Sequence, residues 1–284
     1  MFALMSGSAY AAKPWEDYQQ QEFHELQKLS EQGNADAQYK LGDIYIEGKG
    51  VPKDDTQAFY WWQKAAEQGH ADAQTGLGYM YLEGIGTKVN HHQAVFWFRQ
   101  AAEQGDAWPQ FKLGQLYHDG TGVSKDDAQA VNWYRKAAEQ GHASAQNNLG
   151  DIYEKGAGVP KDYAQAVFWY RKAAEQGNAY SQVNLGAMYA KGTGVPKDNA
   201  QAMHWYQKAA EQGDASAQLK LGLAYGYGIG VPKDEETGYF WYLLSSAQGN
   251  EIAVKNRDII EKNLTPQQRA NAQAAARVWK PKIN

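Results

Sequence analysis

A glycine that closes the phrase AAEQG, or a close variant of it, returns at Gly33, Gly69, Gly105, Gly141, Gly177, Gly213 and Gly249, each 36 residues after the last. No insertion breaks the phase. Between these glycines the chain repeats A-x-A-Q-x-x-L-G-x-x-Y-x-x-G-x-G-V-P-K-D-x-x-Q-A-x-x-W-Y-x-K-A-A-E-Q-G, clearest from Ala143 to Gly177. A chain built this way stacks one supersecondary unit on copies of itself, each copy burying its apolar face against its neighbours. Such a stack offers a long surface rather than a single reactive pocket.

Each block carries two runs of helical spacing. In the fourth block Ala145, Leu149, Ile152 and Tyr153 fall at i, i+4, i+7 and i+8, and Ala166, Trp169, Tyr170, Ala173 and Ala174 form a second stripe. We call the first helix A and the second helix B. Asp with Gln three residues on (Asp54/Gln57, Asp126/Gln129, Asp162/Gln165, Asp198/Gln201, and Asn90/Gln93 as a variant) has the spacing of a capping box at the start of B. The AAEQG glycine suits the left-handed position that ends B, and the Asn, Asp or His after it can cap the next A.

A second glycine stands in the middle of every helix A, at Gly42, Gly78, Gly114, Gly150, Gly186 and Gly222. Mid-helix glycine costs about 1 kcal/mol relative to alanine, so its recurrence implies a steric requirement. The expectation is that A and B cross there at backbone contact. Trp61, Trp97, Trp133, Trp169, Trp205 and Trp241 recur on B and are expected to fill the hairpin interior.

The motif closely resembles the Sel-one-like repeat, a relative of the tetratricopeptide repeat. The resemblance implies an all-α, right-handed α-solenoid, a superhelix of stacked antiparallel helix hairpins. The organisation expected is a possible signal-peptide remnant or tail over 1–14, and a capping helix over 15–33. Six repeats follow at 34–69, 70–105, 106–141, 142–177, 178–213 and 214–249, and a degenerate capping helix pair occupies 250–284. In the N-terminal cap Glu22 and Glu25 replace the small residue and the tryptophan. At the other end Ile252, Ile259 and Ile260 read as the apolar set of a last helix A, and Thr265-Pro266 starts the final helix.

The resemblance implies a non-enzymatic scaffold or adaptor, since members of the family mostly hold other proteins. Bacterial members are often exported, which agrees with Ala9-Tyr10-Ala11, a small-x-small pattern of the kind a signal peptidase cuts, although no basic n-region precedes it. A periplasmic or secreted location is therefore expected, with the cytoplasm as the alternative. Some cysteine-rich members are described as penicillin-binding or β-lactamase-like, making cell-wall hydrolysis the enzymatic alternative. That chemistry needs lysine three residues after the nucleophilic serine, and no serine of this chain has it. A regulator binding a membrane-protein domain is a third possibility.

Charge narrows the partner class. A formal charge of −4 and a pI near 6.0 disfavour nucleic acid, which requires a basic face. There are 0 cysteines, so neither disulfides nor thiolate metal sites can form. His24-Glu25 has Lys28 where a zinc-protease helix needs its second histidine, and no cofactor or metal site is expected. No segment reaches the ~20 apolar residues that span a bilayer. Nothing specifies an oligomer, and a monomer is the expectation.

With the repeated positions assigned to packing, the varying ones identify the binding surface. In solenoids of this type helix A lines the concave side. Its exposed stripe reads Tyr39, Asp43, Ile46; Thr75, Tyr79, Leu82; Phe111, Gln115, His118; Asn147, Asp151, Glu154; Val183, Ala187, Ala190; Leu219, Leu223, Gly226. Large apolar and aromatic groups dominate the first three blocks. The predicted anchors for an extended peptide or a protein edge are Tyr39, Ile46, Tyr79, Leu82, Phe111 and His118, with Trp108 beside Pro109 as a local departure from the pattern.

Overall fold

A computed structural model describes residues 14–282; the Ala9–Ala11 stretch lies outside the described residues. The described chain is helical, without a strand, and divides into two compact units at Lys125/Asp126. The first unit contains α1 (Pro14–Glu31), α2 (Ala35–Glu47), α3 (Asp55–Glu67), α4 (Ala71–Glu83), α5 (His91–Glu103) and α6 (Ala107–Asp119). The second contains α7 (Asp127–Glu139), α8 (Ala143–Lys155), α9 (Tyr163–Glu175), α10 (Ala179–Lys191), α11 (Asn199–Glu211), α12 (Ala215–Tyr227), α13 (Glu235–Ala247), α14 (Glu251–Ile260) and α15 (Pro266–Val278). Each helix packs on the next from α1 to α6 and from α7 to α14, and α15 returns to cover α13. Each unit is thus a run of stacked hairpins in the α-solenoid manner.

The caps explain why the helices begin and end where they do. Asp162 accepts from the backbone N–H of Ala164 and Gln165, and Asn178 accepts from that of Ser181. Helix α9 ends at Glu175, after which Gly177 takes φ 94, a conformation few other residues adopt. The expected capping boxes at the Asp sites are only half made. The N–H of Asp54, Asp162 and Asp198 is already committed to the tyrosine carbonyl of the preceding helix A, as in Asp162 to Tyr153 at 2.9 Å and Asp198 to Tyr189 at 2.9 Å. The full reciprocal box forms at Thr265/Gln268.

One expected cap is missing. Asp106 makes no side-chain cap bond, whereas Asn34, His70, His142, Asn178 and Asp214 all accept from the third helical N–H. In α6 that third residue is Pro109, which has no N–H to give.

The mid-helix glycines have a different partner from the one expected. A Cβ on Gly150 would stand 2.6 Å from Cδ1 and Cε1 of Tyr170, and on Gly222 2.5 Å from Cδ1 of Tyr242. Trp62 and Phe98 meet Gly42 and Gly78 in the same way. Glycine is thus required by an aromatic ring lying on helix A, rather than by touching backbones. The ring belongs to the residue after the repeated tryptophan.

The tryptophans reach beyond the space within the hairpin. Trp205 packs with Leu185 and Met188 of its own helix A and also with Ala166, Val167, Tyr170 and Ala174 of the preceding helix B. It therefore seals one hairpin to the last. Trp61 and Trp97 are only half-buried. The indole N–H of Trp97, Trp133, Trp169 and Trp205 is buried without an acceptor. What is retained at this position is ring area, at the cost of an unpaired donor.

At the C-terminal end the expected apolar set is corrected. Ile260 is buried with Ala253, but Ile252 and Ile259 are exposed. Ala253 and Ile260 are seven residues apart and share the inward face; Ile252 and Ile259 precede them by one residue each and rotate about 100° away.

Glutamine side chains tie these elements together. Buried Gln146 donates from Nε2 to the Ala138 carbonyl at the end of α7 (2.9 Å) and accepts from Gln176 Nε2 beyond α9 (2.7 Å). Gln38, Gln74, Gln182 and Gln218 repeat both bonds. Gln146→Leu should lower unfolding stability by about 1–3 kcal/mol, because it orphans a buried carbonyl and an amide donor. Urea unfolding checks this, and a wild-type midpoint would refute it. Trp205→Ala should cost about 3–5 kcal/mol. Trp205→Phe should cost less than half as much in the same melts, since the N–H it removes has no partner.

Candidate functional site

All seven predicted anchors fall in the first unit. Helix α2 carries Tyr39 and Ile46, α4 carries Tyr79 and Leu82, and α6 carries Trp108, Phe111 and His118. The 36-residue register puts Tyr39 and Phe111 in one row, and Ile46, Leu82 and His118 in another. Their environments differ. Tyr79 is 43% exposed and Trp108 is 39% exposed, while Tyr39, Ile46, Leu82, Phe111 and His118 are half-buried.

Tyr39 and Ile46 owe their burial to inter-helix packing. Both lie against the cluster of Ala58, Ala65, Ala66, Ala73, Leu77 and Met80. The Tyr39 ring is stacked on the His70 ring at 4.6 Å and on Trp62 at 6.1 Å. Trp62 Nε1 donates to the Tyr39 carbonyl at 3.1 Å. Burial, with Asp43 and Asp72 nearby, pushes the Tyr39 hydroxyl up to about 12. Burial likewise raises Asp43 above the usual carboxylate range.

Trp108 stands on the edge of α6. Its ring meets Phe98 at 5.7 Å and is covered on one side by the Lys112 ammonium at 5.4 Å from the centroid. The ammonium also lies 5.9 Å from the Phe111 ring. The structure thus brings Trp108, Lys112 and Phe111 together as one aromatic and cationic edge. Tyr79 sits on the neighbouring A helix, with a free face of its own.

Further along, the stripe departs from an exposed row. Leu219 and Gly226 are buried rather than exposed, Gly226 because α13 approaches so closely that a Cβ on Gly238 would lie 2.9 Å from its backbone nitrogen. Asp151 and Glu154 both accept from the Tyr170 hydroxyl, at 2.5 and 2.8 Å, and Asn184 donates to Asp151 at 3.4 Å. The acidic fourth block is therefore partly committed to holding the tyrosine that lies on Gly150. Sequence reasoning missed this use of its carboxylates, although an aromatic residue follows the tryptophan in every repeat.

Among the described residues no group of three or more metal-ligating side chains forms, and no helix is long and apolar enough to cross a membrane.

Hairpins of this length, joined by Gly-x-Gly loops and sealed by ring on glycine, define a helical-hairpin repeat protein. Its repeats match the Sel1 repeat model at 35–70, 71–106, 110–142, 143–178, 179–214 and 215–250, and the chain belongs to that family. A Sel1 repeat protein from Oxalobacter formigenes is 36% identical, with a TM-score of 0.66 over 81% of this chain and 96% of that one. A protective antigen of uropathogenic Escherichia coli strains with the SLR fold is 29% identical, covering 89% of this chain and 85% of that one, with a TM-score of 0.41. An immunity protein of Pseudomonas aeruginosa is 22% identical, covering 75% and 81%, with a TM-score of 0.43. Among curated proteins none matches. Sel1 repeats are a protein-interaction fold, consistent with a scaffold role.

The Tyr39 environment has a pH signature. An acid raised from 10.0 to about 12 keeps its full contribution to stability below pH 10, where both states are protonated, and loses it as pH rises to about 12. Urea midpoints measured near pH 9 and near pH 11 should fall further in wild type than in Tyr39→Phe. Equal falls would show that the hydroxyl is not held neutral.

Proposed function

We propose that the chain is a non-enzymatic scaffold that holds a peptide or protein edge on the A helices of its first unit, with Tyr79 and Trp108 as anchors. The observation that carries this is the pair of exposed large aromatics on neighbouring A helices. No other repeat has an aromatic at the Tyr79 position, which holds Asp43, Gln115, Asp151, Ala187 and Leu223, and at the Trp108 position Asp36, Asp72, Ser144 and Ser216 are small or polar, with Tyr180 alone repeating the aromatic. Exposed aromatics bring large contact area at small entropic cost, and a preformed helical surface loses little freedom on binding. Ile46, Leu82, Phe111 and His118 would form the half-buried floor around the anchors. Tyr39 contributes by packing α2 against α3 and the start of α4. We place the protein in the periplasm or outside the cell on the Ala9-Tyr10-Ala11 pattern, which fractionation of the native protein would check.

The experiment is affinity capture from a cell-envelope extract with wild type and a Tyr79→Ser/Trp108→Ser variant, after both are shown to melt alike. A partner retained by wild type should be reduced at least about tenfold on the variant, since two anchors at 1 to 2 kcal/mol each suffice for that. Equal retention would move the binding surface elsewhere.

A further inference from the structure

We infer that the second unit carries a receptor for a guanidinium group, supplied by an arginine side chain of a partner protein, in a cavity walled by α11, α12, α13 and α15. This site is separate from the first-unit surface and does not rest on it. Its origin is a ladder that runs through the preceding repeats. Arg135 Nη2 donates to the Tyr153 hydroxyl at 2.9 Å, and Arg171 Nη2 to the Tyr189 hydroxyl at 2.8 Å. In each pair an arginine on helix B reaches the tyrosine of the next helix A, with the Arg171 guanidinium carbon 6.0 Å from the Tyr189 ring centroid. Arg99 and Tyr117 make the same pair in the first unit.

One repeat further on, the register puts Gln207 opposite Tyr225. The glutamine turns away, its Nε2 donating to Glu211 Oε1 at 2.8 Å. Beside Tyr225 a cavity of about 540 Å³ opens, lined by Gln207, Tyr225, Phe240 and Trp241 as well as by Asp234 and Glu236. Glu236 is the second departure at this place. Ala164 and Ala200 occupy its position in the two preceding repeats. In the repeats whose arginine reaches the tyrosine this position is alanine; beside Tyr225, where the arginine is replaced by Gln207, it is a carboxylate.

The first unit offers an internal comparison. Gln63 stands opposite Tyr81 and likewise donates to Glu67 at 2.9 Å. There Asn90 and His92 hold the positions of Asp234 and Glu236, and Phe59 lies edge-on to Tyr81 at 5.3 Å. Opposite Gln27, Tyr45 has Asp54 at the Asp234 position but Thr56 at that of Glu236, so the Glu236 carboxylate accompanies a glutamine at the C-terminal end alone.

A guanidinium fits this combination for three reasons. It is planar and stacks on aromatic faces, of which Tyr225, Phe240 and Trp241 supply three. It donates to a phenol oxygen, as the ladder's own arginines do. It also pairs with a carboxylate in fork geometry, which an ammonium cannot. Hydrogen bonding from Thr237 holds the Asp234 carboxyl below its usual range, so the wall remains anionic. The far wall is held in place from outside. Beyond α15 the chain returns to α11, where the Lys282 N–H donates to the Glu211 carbonyl at 2.8 Å and its ammonium meets Glu211 Oε2 at 2.9 Å.

The test is a titration of the full chain with N-acetylarginine amide, followed by saturation-transfer NMR, with N-acetyllysine amide in parallel. Saturable binding of the arginine probe is expected, at least about tenfold tighter than that of the lysine probe. Gln207→Arg should abolish it while raising Tm, because the chain's own guanidinium then reaches Tyr225. Glu236→Ala, which installs the residue of the neighbouring repeats, should weaken it at least about tenfold. The proposal is overturned by no saturable binding to wild type, by equal binding of the two probes, or by undiminished binding to either variant. Each of these results would leave the Tyr79 and Trp108 surface untouched.

Discussion

A buried carboxamide sets the spacing of the whole stack. Gln146 lies at the junction of three helices, donating to the last turn of the preceding helix B and accepting from the residue that ends its own hairpin's helix B. An amide with one donor bond and one acceptor bond allows little slippage, since a shift of a single residue would bury both groups unpaired. The same bonds at Gln38, Gln74, Gln182 and Gln218 make the 36-residue period a hydrogen-bonding requirement as well as a packing one. This accounts for the two most constant polar positions in the motif, the Gln of A-x-A-Q and the Gln of AAEQG. Insertions are confined to places that do not alter this distance, and none occurs between Gly33 and Gly249.

Much of this was legible in the sequence, because period and amphipathicity are properties of the chain alone. The stripe Ala145, Leu149, Ile152 is buried as its spacing requires, and so is Ala166, Ala173, Ala174. Less legible was which aromatic does what. Tryptophan and tyrosine are adjacent on helix B and therefore point about 100° apart, so one must face the hairpin and the other the preceding repeat. Periodicity cannot say which. The structure gives Tyr170 to Gly150 and Trp205 to the seam, and at Gly42 an indole, that of Trp62, takes the place of the tyrosine ring.

The candidate surface was only partly legible, for a related reason. A row of residues on helix A is exposed or buried according to how closely the next helix A approaches, which depends on side chains a full repeat away. Tyr39 illustrates this. Its row position predicts a free anchor, but His70 and Trp62 stack on its ring, and it becomes part of the support. Tyr79 has no such cover. The register places Glu154 in the exposed stripe, and its carboxylate accepts from Tyr170.

Function in such a stack is therefore to be sought where a repeated residue is replaced at a loss to the fold. Pro109 deprives Asp106 of the N–H it would cap, an interaction worth about 1 kcal/mol elsewhere, and the same turn presents Trp108. Gln207 gives up the arginine–tyrosine bond that the two preceding repeats make, and Glu236 adds a carboxylate where those repeats have alanine. In a chain whose other repeats keep the same solutions, local losses of this kind are retained when the altered surface interacts with something outside the stack. The two surfaces lie in different units and differ in chemistry, aromatic in the first and anionic in the second.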